Sequence, residues 1–99
     1  DPYFDPFWKL VNDSGVVVVY HGGDSGYGDY ANDWGEGGTT ESFKASPFRS
    51  ISLPWKAPFD LFAALISHQL FQRFPNLRMA SIEMGSFWVP WLFQSMKRV

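Results

Sequence analysis

Val16-Val17-Val18-Val19-Tyr20-His21-Gly22-Gly23 is the stretch on which the reading of the fold turns. Four consecutive valines and a tyrosine, with no polar alternation, predict a strand covered on both faces, the habit of parallel sheets. His21 stands where that strand stops and the paired glycines open its loop. In α/β folds this end of a sheet is where ligands and catalytic groups collect. His21 is thus the first candidate functional residue, and the competing reading is a histidine that only hydrogen-bonds the loop backbone.

Upstream, Asp5-Pro6 reads as an acidic cap followed by a proline at the start of a helix. Phe7, Leu10 and Val11 repeat at helical spacing, with Trp8 alongside, and Gly15 supplies the left-handed stop after Asn12-Asp13-Ser14. Downstream, seven of the nine glycines fall between Gly22 and Gly38. They are mixed with polar and aromatic residues without a period, which predicts loop. Glu41 to Phe48 predicts a short helix broken at Pro47, and Ile51 to Trp55 an extended segment. Pro58 to Phe74 carries the clearest helical period, with Asp60 in its first turn and Pro75-Asn76 ending it. Leu77 to Glu83 reads as a second strand, and Phe87 to Val99 as a last helix capped by Ser86, with Pro90 in its first turn and Lys97 and Arg98 at its end.

The order is α/β, a parallel βαβ segment in which the two strands are joined through a helix. That topology brings Tyr20-His21 and Ile82-Glu83 to the same end of one sheet. No repeat or linker divides the chain, so residues 1–99 are read as one unit. Hydrophobic residues make up 45% of the sequence and aromatics 19%, more large apolar surface than a domain of this size covers, since it hides only about 60–70% of what its unfolded chain exposes. The chain therefore reads as a segment of a larger domain.

A net charge of −2 with scattered charges and no basic stripe argues against nucleic acid. No apolar run reaches the roughly 20 residues of a membrane span, and the absence of cysteine removes disulfides and thiolate metal sites. A cytoplasmic protein acting on a small molecule is the expectation.

His21 and Glu83, each expected as the last residue of its strand, form the central pair. Imidazole and carboxylate suit a divalent metal or proton transfer. The local alternative pairs Glu83 with a basic side chain. Asp24, Asp29, Asp33 and Glu36 lack the alternating spacing of a calcium loop and read as solvating residues. Tyr27, Tyr30 and Trp34 line a pocket or pack the loop, packing being favoured because aromatics bury large area wherever they sit. His68 reads as a packing residue of the long helix. No lysine-serine or lysine-threonine follows the glycines, which excludes a phosphate loop, and Ser25 lacks the setting of a nucleophile elbow.

Two stretches carry a family resemblance: His21-Gly22-Gly23-Asp24-Ser25-Gly26-Tyr27, and the run from Phe71 to Pro90 that contains Arg73-Phe74-Pro75-Asn76-Leu77-Arg78 and Ile82-Glu83-Met84-Gly85. They resemble the amidohydrolase-related family of metal-dependent (β/α)8 TIM barrels, which includes aminocarboxymuconate-semialdehyde decarboxylase and related hydrolases. The resemblance implies that residues 1–99 are the middle of an incomplete barrel, about strands five and six. It implies His21 as a metal ligand, with zinc expected and manganese or another divalent ion as alternatives. Glu83 falls where many members carry a histidine acting as acid or base, and is the catalytic candidate. Tyr27 and Trp34 are the substrate-binding candidates. The family's His-x-His pair and last-strand aspartate do not lie within residues 1–99, and a barrel needs about 250 residues.

Hydrolysis of a small amide, ester or carbon-acid substrate by a metal-activated water is the leading expectation for the intact enzyme, with this segment alone inactive. Non-oxidative decarboxylation on the same scaffold is the first alternative. A non-catalytic partial barrel, working as an interaction module or homo-oligomer through its aromatic faces, is the second.

Overall fold

The computed structural model describes residues 1–23, 26–36 and 46–99. A short 3-10 turn (Pro2–Phe4) leads into helix α1 (Asp5–Ser14) and strand β1 (Val17–His21). Helices α2 (Gly28–Asp33), α3 (Pro47–Ser52), α4 (Lys56–Ser67) and α5 (Leu70–Arg73) separate it from strand β2 (Arg78–Ile82), and helix α6 (Trp88–Met96) follows. β1 and β2 pair in parallel, with register from Val17↔Arg78 to His21↔Ile82. The expected βαβ unit is present. Among the described residues no helix is long and apolar enough to cross a membrane.

Local chemistry accounts for the first elements. Asp1, not Asp5, is the side-chain cap: its Oδ1 accepts from the Tyr3 amide at 2.9 Å. Asp5 instead occupies the first turn of α1, where its charge suits the helix dipole. Gly15 ends α1 at φ +72°, as its sequence position predicts. Three polar contacts then tie α1 and its exit to the chain entering β2. Arg73 Nη1 donates to Asp5 Oδ1 at 2.6 Å, the Asn76 amide to Asn12 Oδ1 at 2.8 Å, and Arg78 Nη2 to the Gly15 carbonyl at 2.6 Å. All three lie at the end of the sheet opposite His21.

The glycine-rich connection departs from the expected loop, because Gly28–Asp33 is helical. Its single buried residue is Ala31, so no apolar period could reveal it. Of the helix expected over Glu41 to Phe48, residues 41–45 lie outside the described residues. Pro47 opens α3 rather than breaking a helix: Ser46 Oγ accepts from the Arg49 amide at 3.2 Å, and Pro47 takes the first helical position. Ile51 and Ser52 belong to α3 and the chain then turns into α4, so Ile51 to Trp55 is not extended. α4 begins at Lys56, before Pro58, which moves Asp60 out of the first turn.

The long helix expected to Phe74 is interrupted at His68-Gln69. Gln69 takes φ +58°, and α5 restarts after it. His68 therefore caps α4 instead of lying inside a helix, its amide donating to the Ala64 carbonyl at 2.9 Å. Phe87 rather than Ser86 precedes α6, with no side-chain cap, while Pro90 does fall in the first turn.

The core gathers Ala57, Pro58, Leu70, Leu77, Met84, Trp88 and Leu92, with the Phe62 and Trp88 rings stacked at 5.2 Å. It is built from α4, α5 and α6 with the residues flanking β2, Leu77 and Met84, and none of it comes from the strands themselves. The expectation that β1 is covered on both faces is not met: Val17 and Val19 are 44% and 60% exposed, while Val18 and Tyr20 are half-buried. In β2, by contrast, Met79, Ala80 and Ser81 are all half-buried. Phe7 and Leu10 on α1, and Trp91 and Phe93 on α6, are also exposed.

Leu77→Ala should lower the unfolding free energy by about 2–4 kcal/mol, the range for a buried leucine whose cavity does not collapse. Gly15→Ala should cost about 1 kcal/mol for forcing a Cβ into the left-handed region. Urea denaturation followed by circular dichroism measures both.

Candidate functional site

The register puts His21 opposite Ile82, so these two side chains share one face of the sheet. A continued strand would send Glu83 to the other face. Glu83 instead lies just past β2, not at its last position, and its backbone turns left-handed at φ +56°. That turn returns the carboxylate to His21: Nε2 lies 3.2 Å from Glu83 Oε2. A non-glycine residue in this region carries roughly 1–2 kcal/mol of backbone strain. The strain brings two chemical groups together.

The turn after β1 is fitted to the same arrangement. The Gly22 amide donates to the Ile82 carbonyl at 3.0 Å, extending the ladder one step past the strands. A Cβ on Gly22 would sit 3.1 Å from the Glu83 carbonyl oxygen and 3.5 Å from Met84 Cγ. Only glycine lets the two strand ends approach this closely without displacing backbone.

The imidazole has one assigned nitrogen. His21 Nδ1 lies 2.6 Å from the Gly22 carbonyl oxygen. A carbonyl only accepts, so Nδ1 carries the proton. In the neutral ring Nε2 then holds the lone pair, and it faces a carboxylate oxygen. A cation between the two atoms, a proton or a metal ion, would make that contact attractive. Both side chains are exposed, 58% for His21 and 76% for Glu83, so as an ion pair they contribute under about 1 kcal/mol. Of the local alternatives from the sequence, the backbone bond of His21 is present and coexists with the pair, while among the described residues Glu83 pairs with His21 and with no lysine or arginine. Among the described residues no group of three or more histidine, cysteine, aspartate and glutamate side chains could hold a metal ion.

Tyr27 and Trp34 are placed by other contacts. The Tyr27 hydroxyl donates to Asp60 Oδ2 in a short hydrogen bond. Burial, then that bond and the Asp60 charge, then Tyr20, push the phenol up to about 12. Trp34 is largely exposed, its ring tilted against Phe48 at 5.7 Å. Neither residue bonds to His21 or Glu83. Asp24 lies outside the described residues. Three residues of the site region escaped the sequence reading: Gly22 as a steric requirement, Asp60 as the acceptor for Tyr27, and Lys56, whose Nζ lies 4.7 Å from the centres of both the Tyr30 and Trp55 rings. Lys56 and Asp60 are spaced as a local helix ion pair, so nothing in the sequence announced other partners.

Gly22→Ala should push the Glu83 backbone away and lengthen the His21–Glu83 separation by several tenths of an ångström, visible in a crystal structure of the variant. Tyr27 keeps its proton longer in the folded chain than in the unfolded one. Its contribution to stability is thus complete below about pH 10 and lost as pH rises through about 12. Absorbance at the phenolate band should show the last tyrosine step vanish in Tyr27→Phe.

Comparison with known proteins adds a relative. An amidohydrolase from Mycobacterium avium subsp. paratuberculosis K-10, known from its crystal structure, superposes with a TM-score of 0.84 and 36% sequence identity. The match takes in 99% of this chain and 24% of that one, so the chain spans about a quarter of the protein it resembles. No protein-family model matches the sequence, and no curated protein does. The chain is a mixed α/β segment similar to part of an amidohydrolase.

Proposed function

We propose that the chain forms about strands five and six of a metal-dependent amidohydrolase-type (β/α)8 barrel, and that the intact protein hydrolyses a small amide, ester or carbon-acid substrate. The observation that carries this reading is the His21–Glu83 pair at 3.2 Å, at the strand ends of a segment that resembles an amidohydrolase.

The donor set fits a divalent ion. Nδ1 is committed to the Gly22 carbonyl, which leaves Nε2 as the ligating nitrogen. Imidazole nitrogen beside a carboxylate is a donor type that divalent ions accept, and the two groups lie 3.2 Å apart. His21 would hold the ion, and the rest of the barrel would complete its ligands. Zinc, or manganese or another divalent ion, supplies Lewis-acid polarisation and a water acidic enough to lose its proton near neutral pH.

The chain's own residues have separate tasks. The Gly22 carbonyl fixes the tautomer of His21. Glu83 takes or delivers the proton, being a carboxylate within reach of the same centre and exposed to solvent. Tyr27 and Trp34 are assigned to substrate binding, their rings being the aromatic surface that follows β1 in the chain. The low net charge and lack of a basic stripe favour a small-molecule substrate over nucleic acid or a membrane surface. The lack of cysteine favours the cytoplasm. The exposed rings of α1 and α6 are the surfaces that the rest of the barrel or another subunit would cover.

In the full-length protein, His21→Ala should lose bound metal and with it turnover. Glu83→Gln should keep the metal while lowering turnover by about 10²–10⁴-fold, the usual range for a general acid or base. Metal analysis beside assays of amide or ester cleavage and of carbon dioxide release measures this and separates hydrolysis from decarboxylation. Unchanged metal content and activity in His21→Ala would remove the proposal.

A further inference from the structure

The turn between β2 and α6 fixes an aromatic ring in water at the strand ends that carry His21 and Glu83. Two core residues pin this turn. Met84 and Trp88 are buried, and the Trp88 indole Nε1 donates to the Gly85 carbonyl at 3.0 Å. Glu83, Gly85, Ser86 and Phe87 are exposed. Phe87 is the one large apolar side chain among those four, 61% exposed beside a residue of the core.

Phe87 is held as well as exposed. Gly85 takes φ +62°, and a Cβ there would stand 3.3 Å from both Cδ1 and Cε1 of the Phe87 ring. One edge of the ring therefore rests on the bare α-carbon of Gly85, an approach that any side chain at Gly85 would crowd. Trp91, one turn further along α6, is exposed too but leans on Trp55 with ring centres 6.4 Å apart. Among the described residues Phe87 has no such ring partner, so it forgoes the burial that stabilises an aromatic side chain.

The ring is also near the candidate chemistry. β1 and β2 are parallel and end together, so the turn after β2 leaves the sheet at the end where His21 and Glu83 meet. Gly85 follows Glu83 by two residues. Consecutive α-carbons lie about 3.8 Å apart, so the ring edge on Gly85 is within roughly 12 Å of the Glu83 α-carbon. One small molecule spans that distance. Ligand pockets combine an apolar lining with a few placed polar groups. His21 and Glu83 supply the polar end, and Phe87 supplies apolar surface on the same turn as Glu83.

We propose that Phe87 determines substrate specificity. Its free ring face forms an apolar wall of the pocket, and the substrate carries an apolar group, best a planar ring, a few bonds from the carbonyl that reacts at His21 and Glu83. This rests on the reading of that pair as the reacting site and adds the other half of the substrate to it. Two rings in offset or edge contact attract beyond their buried area, so Phe87 separates a phenyl-bearing substrate from its short alkyl analogue.

The test uses the full-length protein with propionamide and 3-phenylpropionamide, which differ by one phenyl group. Turnover gives kcat/KM for each, and isothermal titration gives the affinity of each. Wild type should favour 3-phenylpropionamide by about tenfold or more in both measures, and Phe87→Ala should lower that ratio about tenfold. Phe87→Leu keeps apolar surface without the ring and should fall between them. Thermal unfolding checks each variant, and Phe87→Leu carries the comparison should Phe87→Ala fail to fold. An equal loss on both amides would mark a purely structural part for Phe87 and overturn the proposal. So would a wild type that binds the two amides equally, or binds neither. If 3-phenylpropionamide binds more tightly through Phe87 while neither amide is hydrolysed, the hydrolytic reading of the pair fails and the role of Phe87 stands.

Discussion

Parallel pairing of β1 and β2 stops at His21 and Ile82, and the site depends on what the backbone does in the next residue. Regular strand geometry would place His21 and Glu83 on opposite faces. The left-handed turn at Glu83 puts both on one side, and Gly22 gives the turn room to pass. A side chain other than glycine at Gly22, or ordinary strand dihedrals at Glu83, would each separate the two groups. The pair is thus a product of backbone conformation at two adjacent strand ends more than of side-chain reach.

The two ends of the sheet do different work. At the entry end, Asp5–Arg73, Asn12–Asn76 and Gly15–Arg78 join the first helix and its exit to the chain entering the second strand. Each contact spans more than sixty residues of sequence, so together they close a long loop whose entropy the sheet alone would have to overcome. At the exit end the His21–Glu83 pair is more exposed, and Glu83 holds a left-handed backbone. That division, with tying contacts at one end and the candidate site at the other, is the arrangement general to parallel α/β architecture.

Uncovered apolar surface is the other consequence of the topology. A sheet of two strands leaves Val17 and Val19 largely exposed. The helices at both flanks, α1 and α6, likewise turn aromatic side chains to solvent. A chain similar to about a quarter of a larger protein has surfaces suited to neighbouring strands and helices on either flank.

Much of this was legible in the residues themselves. The valine run, Gly15 and the helical period from Pro58 to Phe74 marked the order of elements, because β-branched runs, left-handed stops and apolar periods are local signals. The parallel topology followed from the order, and with it the meeting of His21 and Glu83 at one end. The interruption at Gln69 was not legible, since no glycine or proline marks it, and α2 was hidden because only Ala31 is buried. The exposure of β1's second face depends on what else packs on the sheet, which a run of valines does not encode. The bond from Tyr27 to Asp60, the seat of Lys56 between two rings and the left-handed turn of Glu83 are long-range or strained. Local sequence set which groups could do chemistry here; tertiary packing decided which of them face each other, because those contacts join residues that only the closed βαβ unit brings within reach.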